Sequence, residues 1–262
     1  MPPGIYGIVL TRNKMTNIFT KEFTISSYDL NPRGQARLTS MANFFQEVAY
    51  HHASELGLGY HDMKSRKTTW VLSRMRIQMK RYPAWNDRIK LETWPSGAER
   101  LFALRDFRVY DSSGEVIGMA STAWLILDLD THRLVRPKEM LEQFKLIVHE
   151  ERMFDKALDK ITVSDDAKLL NKHPVVFSDL DIVGHVNNVR YMEWCIDAVT
   201  TAENSALEIR ELEINFNHEA LFGDLIHISG IESENGETYF TATREGDGLE
   251  IFSARLKRDK AT

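Results

Sequence analysis

The sequence predicts an α+β fold of two tandem halves, each an antiparallel sheet beside a long helix. Two observations lead to this prediction. An internal repeat spans most of the chain, and each copy carries a helical apolar stripe followed by a run of strand-like segments. The chain has 262 residues, 43% hydrophobic and 27% charged, which is enough for one large core or two small ones.

The repeat begins in a turn and continues into a helix. Asp29–Gly34 matches Asp179–Gly184 at an offset of 150. Further along, Trp85–Leu91 matches Phe222–Ile228 at an offset of 137, so the second copy has lost 13 residues between its helix and its next strand. The apolar stripe of the second copy recurs every three or four residues, as one helix face requires. Its members are Val189, Met192, Cys195, Ile196 and Val199.

Strand-like segments follow each helix, separated by turn residues such as Asp111–Gly114. They lie near 69–80, 87–95, 101–111 and 115–128 in the first half, and near 208–217, 224–233, 236–244 and 249–257 in the second. We therefore expect a first half over 20–143 and a second half over 171–262. A polar linker with some helix in it would join them over 144–170, and a disordered N-terminal extension would occupy 1–19.

Composition and missing motifs narrow the function. A net charge of -5 gives no support for a nucleic-acid-binding protein. A single cysteine, Cys195, favours a reducing compartment, and we expect the cytoplasm. No apolar run approaches the roughly 20 residues of a membrane helix. The sequence lacks H-E-x-x-H, paired cysteines, a phosphate loop and G-x-S-x-G, so we infer no metal, no cofactor and no serine nucleophile.

Several spaced motifs resemble a known family. Ser178–Tyr191 resembles the signature turn and helix start of hotdog-fold thioesterases. The first half is similar to the acyl-ACP thioesterases of plants and bacteria at Trp70–Met75, Arg81–Asp87, Glu92–Ser96, Arg105–Phe107 and Ala120–Trp124. The resemblance implies two tandem hotdog halves and hydrolysis of fatty acyl-acyl carrier protein, which releases a free fatty acid in fatty acid biosynthesis. It also implies an acyl carrier protein as partner, and it leaves a homodimer open.

The family's active residues are an Asp, an Asn, a His and a more distant acid. By motif the resemblance assigns the Asp, the His and the acid to Asp181, His185 and Glu219. Val183 stands where the family has the Asn, and Ala220 stands where plant members have a cysteine. A mechanism that needs that amide or that thiol therefore cannot operate here.

The duplication gives an independent argument for the same residues. The first copy carries Asn31, Gln35 and Tyr82 where the second carries the three candidate acid–base groups. A structural role common to both copies would not require this asymmetry. It fits one catalytic half and one half specialised for the acyl chain.

Thioester hydrolysis needs an activated water and donors for the carbonyl oxygen. Glu219 and Asp181 are candidate general bases, and His185 could position the water or share its proton. The backbone N–H groups at the helix start are candidate oxyanion donors: Asn187, Asn188 and Val189. Alternatives stay open: Asp181 could merely cap its turn, and His185 could be a plain turn residue. Asn187 or Asn188 is expected to be the helix N-cap in any case. Strand alternation puts Glu219 on a face that looks solvated unless the strand ends or bulges.

The binding residues are predicted from their type and place. Phe44, Phe45 and Val48 on the first helix would line an acyl pocket or, alternatively, fill a dry core. Lys64, Arg66 and Lys67 in the loop after that helix, with Arg190 beside the turn, would bind the acidic carrier or, alternatively, be solvated surface charge. Two rival functions also remain open: an acyl-CoA thioesterase, and a non-catalytic lipid-binding module.

Overall fold

A computed structural model describes residues 10–13, 17–143, 147–201 and 208–259. Its described residues form two compact units. The first holds the described residues up to Val71 together with Lys80–Lys156. The second holds Leu72–Met79 and the described residues from Ala157 onward. The segment Leu72–Met79, expected in the first half, thus lies in the second unit.

The first unit is an antiparallel sheet with one long helix. Its elements in chain order are β1 (Leu10–Asn13), β2 (Ile18–Thr24), α1 (Leu38–Glu55), α2 (Tyr60–Ser65), the start of β3 (Thr68–Met79), β4 (Arg88–Glu99), β5 (Phe102–Tyr110), β6 (Val116–Asp128), β7 (Leu134–Val135) and α3 (Pro137–Gln143). The strands pair in the order β1-β2-β4-β5-β6, with β7 on β6. Each strand follows its neighbour antiparallel, as expected for a meander.

Helix α1 buries its apolar stripe against the sheet. The ring of Phe45 lies 5.2 Å from that of Phe107 on β5, and Met41 and Val48 are fully buried. Beyond α1, the unpredicted helix α2 packs through Met63 into a second cluster with Leu58, Ile126 and Met140. The second copy lacks the residues that build this extra helix.

A line of polar side chains lies beneath the last turn of α1. His52 faces Asn17 through Nε2 (3.3 Å) and the Arg105 guanidinium through Nδ1 (3.0 Å). Arg105 also donates to the Thr93 hydroxyl at 3.2 Å. Burial lowers the pKa of Arg105 to about 10, so the guanidinium is still charged at neutral pH. The C-terminal end of α1 therefore covers a polar region, unlike the middle of the helix around Phe45.

The second unit repeats the plan with a shorter helix. Besides residues 72–79 of β3, its elements are β8 (Lys168–Pro174), α4 (Asn188–Val199), β9 (Ile209–Phe216), β10 (Leu225–Glu232), β11 (Glu237–Arg244) and β12 (Glu250–Arg258). The strands pair antiparallel in the order β3-β9-β12-β11-β10-β8. Of the predicted stripe, Val189, Met192 and Cys195 are buried, whereas Ile196 and Val199 are only half-buried. The buried face of α4 also carries Tyr191 and Trp194.

The segment between the halves differs from the expectation. Residues 147–167 contain no helix, and β8 already begins at Lys168. Within the second unit this segment covers β9, where Asn215 accepts from the Ile161 N–H at 2.6 Å and donates to Asp159 at 3.2 Å. Asn215 is buried by these contacts, and Glu213 is buried beside Arg255. Asn217 and Glu219 are exposed, so the expectation of a solvated face is wrong within β9 and right beyond its end.

Two further expectations are corrected. The extension over 1–19 is not wholly disordered, because Leu10–Asn13 pairs with Ile18–Lys21; the rest of 1–16 lies outside the described residues. Lys64 lies in α2 and not in a loop. Within the described ranges, no helix is both long and apolar enough to cross a membrane.

Candidate active site

The turn before α4 is held by the Asp181 carboxylate. Its Oδ1 accepts the backbone N–H groups of Val183 (2.8 Å) and His185 (3.3 Å). The Asp181 N–H donates to the carbonyl of His185 at 2.8 Å. Gly184 has a φ of +90°, which glycine adopts without a steric penalty. These bonds fix the backbone that carries the His185 ring.

The matching turn of the first copy has the same bonds. Asn31 accepts from the N–H groups of Arg33 (2.9 Å) and Gln35 (3.3 Å), and its own N–H donates to the carbonyl of Gln35 at 2.8 Å. Asp181 and Asn31 thus share one structural role. The alternative that Asp181 caps its turn is therefore supported by its geometry.

The start of α4 leaves one backbone donor available. Asn187 is the N-cap, with its side chain accepting the Val189 N–H at 2.9 Å, and its own N–H donates to the carbonyl of Asp179 at 2.9 Å. Two of the three predicted oxyanion donors are therefore already engaged. Among the described residues the Asn188 N–H has no partner, and it lies at the positive end of the helix dipole.

Glu219 faces His185 because β9 ends at Phe216, before strand alternation could turn the side chain away. Its Oε1 lies 3.4 Å from His185 Nδ1. The His185 side chain is 35% exposed and that of Glu219 61% exposed. The pair is thus open to a substrate from solvent, and the carboxylate at Nδ1 leaves Nε2 for another partner.

A contact that the sequence did not predict fixes the residue after Glu219. Ala220 donates its N–H to the Tyr191 hydroxyl at 3.1 Å. Its carbonyl accepts the Val186 N–H at 3.1 Å. A comparison of the two copies could have indicated this contact, because the first copy has Met41 in place of Tyr191 and Pro83 in place of Ala220.

Other side chains near the site are apolar or inert. Ile182, Val183 and Phe222 are exposed, so Val183 brings no polar group in place of the family's Asn. Cys195 is free and fully buried, and burial raises the pKa of its thiol well above the ordinary range. Within the described ranges, no three His, Cys, Asp or Glu side chains are grouped to hold a metal ion.

The three predicted acyl-pocket residues differ in how far they are buried. Phe45 and Val48 are buried in the first unit's core, while Phe44 is half-buried with its ring 4.6 Å from that of Phe23. Of the three, only Phe44 keeps part of its surface exposed.

Most of the predicted carrier-binding residues already have protein partners. Lys67 pairs with Asp130 at 2.6 Å, and Arg66 donates to the Gly57 carbonyl. Arg190 pairs with Glu193. Lys64 lies 5.6 Å above the Tyr60 ring and, among the described residues, has no carboxylate partner.

Two domain families match the chain. The acyl-ACP thioesterase N-terminal domain matches residues 16–144, and the acyl-ACP thioesterase C-terminal domain matches residues 162–257. Together they cover well over half of the sequence. The catalytic candidates Asp181, His185 and Glu219 all lie in the C-terminal match.

Individual relatives agree. An oleoyl-acyl carrier protein thioesterase from Arabidopsis thaliana is 28% identical over 88% of this chain and 68% of its own length. A crystal structure of an acyl-ACP thioesterase from Bacteroides thetaiotaomicron is 25% identical, with a TM-score of 0.83 over 92% of this chain and 98% of that one. A 12:0-ACP thioesterase from Umbellularia californica, 23% identical, shares the fold with a TM-score of 0.81 over 92% and 97%.

Proposed function

Since this chain belongs to the acyl-ACP thioesterase family, it hydrolyses the thioester of fatty acyl-acyl carrier protein, and we propose that water activated by His185 attacks the thioester directly. One observation carries the proposal for the site. A carboxylate faces one nitrogen of an accessible imidazole, beside a helix start that offers an unpartnered N–H.

In the first step His185 acts as the general base. Glu219 at Nδ1 orients the ring and stabilises the imidazolium, so that Nε2 can take a proton from water. The resulting hydroxide forms a bond to the thioester carbonyl carbon. A positioned base of this kind contributes about 10²–10⁴ in rate.

The tetrahedral intermediate then needs a donor for its oxygen. The Asn188 N–H is free for this bond, and the dipole of α4 favours a negative charge there. One such donor is worth about 10²–10³ in kcat. Collapse of the intermediate breaks the carbon–sulfur bond and releases the carrier's thiolate, which takes up the proton from His185, while the fatty acid leaves as the second product.

A covalent mechanism has little support in this chain. The thiol of Cys195 is enclosed on the core face of α4, and its raised pKa keeps it protonated at neutral pH. A protonated, enclosed thiol is a poor nucleophile. We therefore assign Cys195 to packing and water to the attack.

The two halves have different tasks in this proposal. The second half, 171–262, carries the chemistry, and the first half, 20–143, holds the acyl chain against α1. Phe44 is the pocket residue that packing leaves partly accessible. We place the reaction in a reducing compartment such as the cytoplasm, which suits a free cysteine.

Hydrolysis assays with matched substrates test the function. The purified protein is assayed with two substrates that carry the same acyl group, one on acyl carrier protein and one on coenzyme A. The release of free thiol is followed at several substrate concentrations. We expect a higher kcat/KM on the carrier protein. A higher kcat/KM on coenzyme A would indicate an acyl-CoA thioesterase, and no turnover of either would indicate a lipid-binding module.

A further inference from the structure

We propose that Tyr191 is a positioning residue for the catalytic pair, because its hydroxyl holds the backbone that carries Glu219. The inference rests on the proposed role of His185 and Glu219. Tyr191 would not touch the substrate; it would act through Ala220.

The geometry is a clamp on a single residue. Ala220 follows Glu219, and Val186 follows His185 in the chain. The Val186 N–H donates to the Ala220 carbonyl at 3.1 Å, which ties the two backbones together. On the other side, the Ala220 N–H donates to the Tyr191 hydroxyl at 3.1 Å. Both polar groups of Ala220 are therefore fixed next to the 3.4 Å contact between His185 and Glu219.

Tyr191 is itself rigidly held. It is 3% exposed, and its ring lies 5.1 Å from Trp194, 6.0 Å from Phe216 and 5.3 Å from Phe252. Burial raises the pKa of Tyr191 far above its ordinary value, so the hydroxyl stays neutral under assay conditions. A neutral phenol fixed by aromatic packing is a stable acceptor for the amide.

The first copy shows that this clamp belongs to the catalytic half. There the Ala36 N–H donates to the Pro83 carbonyl at 2.8 Å, the counterpart of the bond from Val186 to Ala220. Pro83 has no N–H to satisfy, and the helix residue at the matched position is Met41, which has no hydroxyl. The hydroxyl and the N–H that needs it are present together in one copy and absent together in the other.

Removing the hydroxyl gives the first test. Tyr191→Phe keeps the ring but leaves a buried N–H without its partner. We expect kcat on acyl-ACP to fall about tenfold or more with KM little changed, because small misplacements of catalytic groups reduce turnover strongly. Tyr239→Phe is the matched control, since Tyr239 bonds Glu237 within the same unit and its kcat should stay at the wild-type value.

Hydrogen exchange gives a readout independent of turnover. The amide of Ala220 should exchange faster in Tyr191→Phe than in the wild type, while the amides of the central strands β9 and β12 keep their protection. Unchanged exchange at Ala220 would overturn the clamp, even in a protein that hydrolysed no thioester. Absent hydrolysis in the wild type would instead contradict the proposed function.

The first copy also suggests a rescue. In Ala220→Pro the ring would meet the Tyr191 hydroxyl, whereas the pair Tyr191→Phe with Ala220→Pro removes the N–H and the hydroxyl together. We expect the double variant to regain thermal stability and most of the lost kcat relative to Tyr191→Phe. A normal kcat in Tyr191→Phe would overturn the proposal. Restored stability with an equally low kcat in the double variant would also overturn it, because the hydroxyl would then act on the chemistry and not through Ala220.

Discussion

At the turn before α4, Asp181 forms the same backbone bonds that Asn31 forms in the first copy. An amide oxygen can accept both N–H groups as a carboxylate oxygen does. The negative charge of Asp181 is therefore not needed for the turn itself. This separates a turn-holding role from a role as general base.

We predict that Asp181→Asn keeps the fold and most of the activity. The free energy of unfolding should change by no more than about 0.5 kcal/mol, as for an exposed substitution that keeps its bonds. Thermal denaturation and steady-state kinetics measure both quantities. A loss of about 10²-fold or more in kcat would contradict the prediction and make Asp181 the base.

Residue roles were only partly predictable from the sequence. His185 and Glu219 were identified by motif and by their absence from the first copy, and the structure places them 3.4 Å apart; their catalytic role stays a prediction. The hydrogen bond between the Tyr191 hydroxyl and the Ala220 N–H was not predicted, because it joins two residues that are distant in the chain and depends on tertiary packing. The engaged N–H groups of Asn187 and Val189 were not predicted, because the sequence left both Asn187 and Asn188 as candidates for the N-cap, and each choice engages different donors.

The elements were predictable where periodicity was strong. The strands β3 to β6 and β9 to β12 lie within a few residues of the predicted segments, because alternation and turn residues define them. Helix α2 was missed, since its six residues are too short for a clear stripe. The polar linker over 144–170 was predicted to contain some helix, but its described residues 147–167 contain none, and the Ile161 N–H instead donates to Asn215 on β9.

On helix α1, we predict different outcomes for substitutions of two neighbouring phenylalanines: a change of acyl-length preference at Phe44 and a loss of stability at Phe45. Phe44→Ala opens space beside a half-buried ring and should shift the kcat/KM profile toward longer acyl chains. Each extra methylene buried contributes about 0.8 kcal/mol, so two carbons correspond to roughly tenfold. Assays across acyl lengths measure the shift.

Phe45→Ala is the comparison within the same helix. Its ring is fully buried against Phe107, and the substitution should destabilise the protein by about 3–5 kcal/mol without a change in length preference. An unmoved length profile in Phe44→Ala would show that the face of α1 is scaffold and that chain length is read elsewhere.

For the molecule as a whole, a net charge of -5 opposes an acidic carrier, so binding must depend on local positive charge. Of the four predicted carrier-binding residues, Lys64 is the one whose ammonium group has, among the described residues, only an aromatic ring as its partner, that of Tyr60. We predict that Lys64→Glu raises KM for acyl-ACP about fivefold or more and reduces its salt dependence, since one surface charge contact is worth roughly 1 kcal/mol or more.

The control carries the same change of charge elsewhere. Lys257→Glu alters an exposed side chain on β12 and should leave KM nearly unchanged. A short acyl-CoA assayed in parallel should respond to neither variant. Equal losses on both substrates in Lys64→Glu would mean that this residue supports the fold and not the carrier.

The whole account depends on one asymmetry between the copies, a His–Glu pair in the second and Gln35 with Tyr82 in the first. The most direct measurement compares kcat on acyl-ACP for His185→Ala and Gln35→Ala, with circular dichroism to verify that both remain folded. We predict a loss of about 10²–10⁴-fold in His185→Ala and a nearly normal kcat in Gln35→Ala. Near-normal turnover in folded His185→Ala, or equal losses in the two variants, would contradict a single active site in the second half.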